Sequence, residues 1–158
     1  MSIEKVRDYF RPLGREGDIL EFPVSSATVE LAAQAVGVIP ARIAKTLSFL
    51  VEDGCVLIVA AGDAKIDNGK YKALFHTKAK MLTQEQVSAF TGHAVGGVCP
   101  FALLPQVKVY LDESLKRFTT VFPACGSSNS AIELTIPELE KYSNSLAWID
   151  VCKGWNEE

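Results

Sequence analysis

The run Cys55-Val56-Leu57-Ile58-Val59-Ala60-Ala61 is apolar from end to end, and nothing else in the sequence constrains the fold as strongly. A strand of this kind belongs at the centre of a sheet, covered on both faces. Just before it lies a second β-rich run, Lys45-Thr46-Leu47-Ser48-Phe49-Leu50-Val51, joined through Glu52-Asp53-Gly54. An Asp-Gly turn between two such runs predicts a β-hairpin. Lys45 opens the first strand and Gly62-Asp63 closes the second, so antiparallel pairing brings them to the same end of the sheet. The rest of the fold has to be built outward from that hairpin.

Helices with local start and stop signals surround it. Ser2 is placed to cap a helix carrying Ile3, Val6, Phe10 and Leu13 on one face, with Gly14 as its stop. Ile19 to Phe22 reads as a short strand ended by Pro23. A second helix runs from Thr28 to Val36 and closes at Gly37, and Pro40 opens a helical turn over 41–44. Asp67 caps a helix through Tyr71, Leu74 and Phe75, and 79–82 reads as a short strand. Thr83-Gln84-Glu85-Gln86 is a capping box for a helix that stops at Gly92. Strands follow at 107–111, 119–123 and 131–134. Thr135-Ile136-Pro137-Glu138 opens a last helix, and 147–151 adds an edge strand. Helices and strands mix without strict alternation. The expected fold is therefore mixed α/β, with a largely antiparallel sheet that curls on itself and helices outside, in one domain over 1–158.

Composition excludes several classes. With 48% hydrophobic and 22% charged residues the chain is an ordinary globular protein. No apolar run approaches the ~20 residues of a membrane span. Met1 to Lys5 lacks the basic-then-apolar pattern of a secretory signal. Cys55, Cys99, Cys125 and Cys152 are far apart, which fits reduced thiols in a cytoplasmic protein rather than zinc or a redox pair. Net charge is −3, yet Lys65, Lys70, Lys72, Lys78 and Lys80 crowd one segment against a single acid, Asp67. A cluster of this kind is either a solvated face or a contact for phosphates.

For chemistry, the stretch Gly92-His93-Ala94-Val95-Gly96-Gly97-Val98-Cys99-Pro100-Phe101 stands out. Gly96-Gly97 offers backbone that a ligand can approach, with N–H groups suited to a carbonyl or phosphate oxygen. Pro100 stiffens the exit and Phe101 is placed to anchor it. His76 and His93 have no role by spacing, and no ligand pattern predicts a metal or other cofactor. There is no G-x-S-x-G elbow. Cys99 is the candidate nucleophile of a thiol enzyme, although a cysteine is more often a small buried hydrophobe. Lys45, at the sheet end shared with Gly62-Asp63, is the remaining candidate. From the residues alone, a cation, a backbone donor loop and a basic segment suit a ligand with phosphates and a polar carbonyl.

The ordered set Gly37-Val38, Ala44-Lys45-Thr46, Gly62-Asp63, Thr91-Gly92, Val95 to Phe101, Asp112-Glu113-Ser114-Leu115 and Gly126 before Ile132-Glu133-Leu134 resembles the YbaK family. These are free-standing aminoacyl-tRNA deacylases related to the editing insertion of bacterial prolyl-tRNA synthetases. The resemblance spans nearly the whole chain. It implies a barrel-like sheet and hydrolysis of the ester that joins a wrong amino acid to its tRNA. By the match, Lys45 holds the terminal adenosine or its phosphate, and the N–H groups of Gly96 and Gly97 bind the ester carbonyl. Thr46, Gly62, Asp63, Val98, Cys99, Pro100 and Phe101 border the substrate, as do Gly126, Ser127, Ser128 and Asn129. The five lysines then contact tRNA. Some relatives carry a His in the segment matching Cys125 to Ser130, and this chain has none. That counts against alanine clearing and leaves Ser127, Ser128 or Asn129 to bond a polar group of the substrate. The amino acid and the tRNA stay open, with a small side chain such as Cys, Ala, Ser or Thr, carried on tRNA(Pro), as the expectation. A synthetase is a possible partner. A non-catalytic tRNA- or synthetase-binding module and the Cys99 thiol enzyme remain the alternatives.

Overall fold

The computed structural model describes residues 2–52, 54–93 and 98–155. Its centre is the expected hairpin. Strand β2 (Ile43–Val51) pairs antiparallel with β3 (Gly54–Ala61) over eight residue pairs, with Lys45 opposite Ala60. Every residue of β3 after Gly54 is buried, and Leu57 to Ala61 have no exposed surface at all. The apolar run is covered on both faces because it needs to be. At about 25 cal/mol per Å² of apolar surface removed from water, such a strand contributes a large share of the folding free energy.

The remaining strands are β1 (Leu20–Glu21), β4 (Lys65–Ile66), β5 (Lys108–Asp112), β6 (Thr120–Pro123), β7 (Ser130–Ala131), β8 (Leu134–Thr135), β9 (Ala147–Ile149) and β10 (Cys152–Lys153). The main sheet has the order β8-β6-β2-β3-β5-β9. It is a curled half-barrel in a mixed α/β fold. Antiparallel pairing holds for β2–β3 and β6–β8, while β2–β6, β3–β5 and β5–β9 are parallel. Two small antiparallel ribbons, β1–β7 and β4–β10, complete the described strands.

The helices follow their local signals. They are α1 (Ser2–Phe10), α2 (Val29–Val36), α3 (Asn68–Phe75), α4 (Gln84–Thr91) and α5 (Ile136–Ser143). The Thr28 hydroxyl accepts from Leu31 N, and Asp67 accepts from Lys70 N. Thr83 with Gln86, and Thr135 with Glu138, form complete capping boxes. Phe10 of α1 packs edge-on against Phe101 at 4.9 Å and against Tyr142 of α5 at 5.6 Å. Phe101 therefore anchors the exit of the glycine stretch in the core, as its position predicts. None of the described helices is long and apolar enough to cross a membrane.

Three expectations are corrected. The segment 131–134 is not one strand: Ser130–Ala131 pairs with β1, and Leu134–Thr135 pairs with β6. Between them Ile132 is fully buried and its N–H donates to Pro123 O, so the chain changes partners there. The segment 79–82 forms only a bridge, Met81 opposite Phe49. The turn at Pro40 is also shorter than expected, and β2 starts at Ile43, two residues before Lys45.

One buried carboxylate fixes the far end of β3. Asp112 has no exposed surface, and its oxygens accept from Ser114 N and Val151 N, each at 3.0 Å. The Ser114 hydroxyl in turn accepts from Ala61 N at 3.1 Å. This chain of bonds ties β5, β3 and the C-terminal segment together next to Lys45.

Candidate functional site

The cleft that holds Lys45 is an opening in the edge of the main sheet. On the side away from β3, the start of β2 is covered by β6, with Ile43 opposite Phe122 and Ala44 opposite Pro123. Its other end is held by the segment 80–82, through Leu82 N to Ser48 O at 3.2 Å and Leu50 N to Lys80 O at 2.7 Å. Between those two clamps, no strand among the described residues pairs with the edge at 45–47. Peptide groups alternate sides along a strand. Since Ser48 and Leu50 bond outward to the clamp, Thr46 turns its N–H and C=O to the opening. Its hydroxyl is also buried and has no partner among the described residues.

The opening widens into a cleft of about 420 Å³. Val29 and Ala32 of α2 form one side, and Leu82 and Val87 the other. Val98, from the glycine stretch, reaches it as well. Among the described residues, Lys45 is the one charged side chain in the lining. Among the described residues no His, Cys, Asp or Glu lines it, so they offer the cleft no carboxylate, imidazole or thiol base. The described residues also contain no group of three or more His, Cys, Asp or Glu able to hold a metal.

Lys45 is half-buried, and its ammonium donates to Ala64 O and, at 3.5 Å, to Gly62 O. An ammonium has three N–H donors, which leaves one for a ligand. Burial pushes the Lys45 pKa below the ordinary lysine value, with Cys152 and Asp63 acting in the opposite direction. Gly62 is needed where it stands. A Cβ there would lie 2.1 Å from Pro40 O and 2.7 Å from Val29 Cγ1.

The other expected site residues divide. Thr46 and Val98 lie at the cleft with Lys45. Gly96 and Gly97, with Ala94 and Val95, lie outside the described residues. Asp63 turns away to a two-pronged ion pair with Arg117, at 2.6 and 3.0 Å. Arg117 also donates to Trp155 O at 2.9 Å, so Asp63 fastens the C-terminal segment. Cys99, Pro100 and Phe101 are buried and do not line the cleft. Gly126 is buried with φ +92°. The Ser127 hydroxyl donates to Asn129 Oδ1 and accepts from the Ser130 hydroxyl, and Asn129 Nδ2 donates to Phe22 O. Ser128 is exposed, and its carbonyl accepts from Ser26 N. This loop thus holds the segment 22–26 in place, and Ser130, which sequence reasoning passed over, lines the cleft instead. Ser26, Met81 and Phe122 were missed for the same reason: they come from distant parts of the chain.

The five clustered lysines have different surroundings. Lys70 is paired with Asp150 and also bonds Cys152 O, both at 3.0 Å. Lys65 and Lys72 are exposed on β4 and α3. Lys78 and Lys80 line a separate groove at the hairpin tip.

Geometry overturns the thiol reading. Cys99 has no exposed surface, and burial pushes its thiol up to about 12. A thiol nucleophile needs the opposite, an accessible group with a lowered pKa. His93 lies 3.6 Å from the sulfur, but its Nε2 is 2.8 Å from Phe101 O, and burial lowers its pKa. Cys99→Ala is accordingly expected to keep hydrolytic activity within about threefold of wild type, measured per folded molecule. It is expected to lose about 1 kcal/mol of stability from the small cavity. All four cysteines are free and buried.

Comparison with known proteins places this geometry. The sequence model of the aminoacyl-tRNA editing domain matches residues 24–142. The uncharacterized protein YwhH of Bacillus subtilis (strain 168) is 60% identical over 156 residues, which cover 98% of this chain and 99% of that protein. EbsC of Enterococcus faecalis (strain ATCC 700802 / V583), named as a candidate Cys-tRNA(Pro)/Cys-tRNA(Cys) deacylase, is 30% identical over 68% of this chain and 66% of its own length. The crystal structure of a candidate trans-editing enzyme for prolyl-tRNA synthetase superposes with a TM-score of 0.86 at 31% identity, covering 97% of this chain and 98% of that one. The proline–tRNA ligase of Thermotoga neapolitana is 32% identical over 56% of this chain, a stretch equal to 15% of the ligase. With its sheet-edge cleft and buried-stem lysine, this chain belongs to the aminoacyl-tRNA editing domain family.

Proposed function

We propose that this protein hydrolyses the ester of a mischarged aminoacyl-tRNA in trans, acting over 1–158 as one cytoplasmic editing unit. The observation that carries the reading is the cleft itself, a neutral recess with one cation, in a chain of the editing family. The free N–H of Lys45 holds an anionic oxygen of the terminal nucleotide. The Gly96 and Gly97 N–H groups receive the ester carbonyl and stabilise its oxyanion, each donor contributing about 3 kcal/mol to the barrier reduction. With no carboxylate, imidazole or thiol among the described residues of the cleft, the water is oriented by the neighbouring ribose hydroxyl of the substrate, and an aminoacyl ester is reactive enough for that. Small apolar walls, with the Thr46 and Ser130 hydroxyls, suit a small uncharged amino acid such as Cys, Ala, Ser or Thr. The names of EbsC and of the trans-editing relative support tRNA(Pro) as the first substrate to try. The name of the trans-editing relative supports a synthetase partner, and lysines of the 65–80 segment meet the tRNA phosphates.

The test is release of labelled amino acid from a panel of charged tRNAs, with tRNA(Pro) carrying Cys, Ala, Ser or Thr among them. Hydrolysis of at least one of these well above its spontaneous rate is expected. If none is hydrolysed while tRNA still binds, the protein is a binding module and the catalytic reading falls.

A further inference from the structure

A second concavity, a groove of about 1050 Å³, lies at the other end of the hairpin. Its floor holds Val56, Phe75 and Tyr110, the two rings meeting edge-to-face at 5.4 Å. Lys78 and Lys80 line it from the segment after α3, and Lys108 from the start of β5, against one acid among the described residues, Glu52. All three lysines are exposed, and none has an ion-pair partner among the described residues. The contrast is with Lys70 and Lys116, which are paired to Asp150 and Glu113. A concave cationic feature on a chain of net charge −3 is an electrostatic footprint for a polyanion.

Position identifies the polyanion. The segment 78–82 is a wall common to both depressions: Lys78 and Lys80 face the groove, while Met81 and Leu82 line the cleft. From Thr46 at the cleft to Val51 at the groove is five residues of β2, about 17 Å. A strand whose 3′ end enters the cleft and continues over this wall brings its earlier phosphates to the three ammoniums.

We propose that this groove, formed by Lys78, Lys80 and Lys108, binds the phosphates of the RNA strand a few nucleotides before its aminoacylated end. The proposal rests on the reading of the cleft as the site for the RNA's 3′ end. It narrows the contact to one groove and adds Lys108, which lies far from the lysine-rich segment in sequence. Each phosphate neutralised releases counterions and steepens the fall of affinity with salt.

The experiment measures binding of a fluorescent, uncharged tRNA(Pro) transcript by anisotropy across a salt series, for wild type and for Lys78→Ala/Lys80→Ala/Lys108→Ala. The slope of log affinity against log salt is expected to fall by about 2 in the triple variant, the value for three single-strand contacts. The single variant Lys108→Glu is expected to weaken binding at low salt and to lose the difference at high salt. Equal slopes in wild type and triple variant, with both folded by circular dichroism, overturn the proposal. Deacylation by the wild type is scored separately. Binding with the predicted slope change but no hydrolysis of any charged tRNA sinks the catalytic reading and leaves the groove. Hydrolysis with unchanged slopes does the reverse.

Discussion

Lys45→Ala is expected to lower deacylation of the preferred charged tRNA by about 100- to 1,000-fold, the usual cost of deleting a preorganised donor in a water-poor site. The melting temperature is expected to move by less than about 4 °C. The two effects separate because of how the lysine is held. Its ammonium spends two donors on the carbonyls of Gly62 and Ala64 and keeps the third for the cleft. Removing it deletes the one charge in the described lining but leaves no buried ion behind, and the main-chain ladder of β2 and β3 is untouched. Arginine is not a conservative replacement here, since its planar fork does not fit two carbonyls that converge on one nitrogen. Lys45→Arg is therefore expected to recover little activity. Single-turnover rates on charged tRNA, read beside melting curves, decide the matter. A near-wild-type rate for Lys45→Ala would remove the residue from the mechanism.

Gly62→Ala is expected to cost about 3 kcal/mol, or roughly 6–12 °C in melting temperature, and to lower activity per folded molecule as well. The added methyl would lie 2.1 Å from Pro40 O, a main-chain atom that cannot rotate away, so the turn at 40 or the end of β3 must shift. Either shift displaces the Gly62 carbonyl that steadies Lys45. Gly17→Ala is the matched control, because nothing lies within 4 Å of its added methyl and its backbone is not left-handed. That variant is expected to stay within about 0.5 kcal/mol of wild type. Thermal melts of both variants, with rates corrected for the folded fraction, provide the comparison. Equal stability of the two would show that the turn at Pro40 yields without strain.

These two residues also mark how far the sequence could be read. Lys45 and Gly62 were both placed at one end of the hairpin because an Asp-Gly turn and two apolar runs set the register locally. The same holds for the helices, whose Thr and Asp caps and Gly stops lie within four residues of the signals that predict them. The cleft was not legible, because it exists only where β6 and the segment 80–82 leave part of β2 uncovered. No local pattern encodes such an omission. The family resemblance puts Asp63 at the substrate beside Gly62, but a carboxylate goes to the best donor in reach. Arg117, from 54 residues away, supplies it. Ser127 and Asn129 were credited with binding for their polarity, yet polar side chains in a tight loop first satisfy their own main chain. The Lys108 contribution to the groove was hidden by distance along the chain.

The uncovered stretch of β2 has a consequence for how such a site can change. Its aperture runs from Ala44 to Ser48, four residue steps, or about 13 Å of extended chain. That dimension is a covalent yardstick and not a matter of side-chain fit, so ordinary substitution leaves it fixed. On the proposed editing function, discrimination between amino acids is then left to the residues standing around the aperture, such as Ala32, Met81 and Val98, each replaceable without disturbing a single rung of the ladder. A lineage could therefore retune its substrate by trading those walls one at a time, on a frame that never has to be rebuilt.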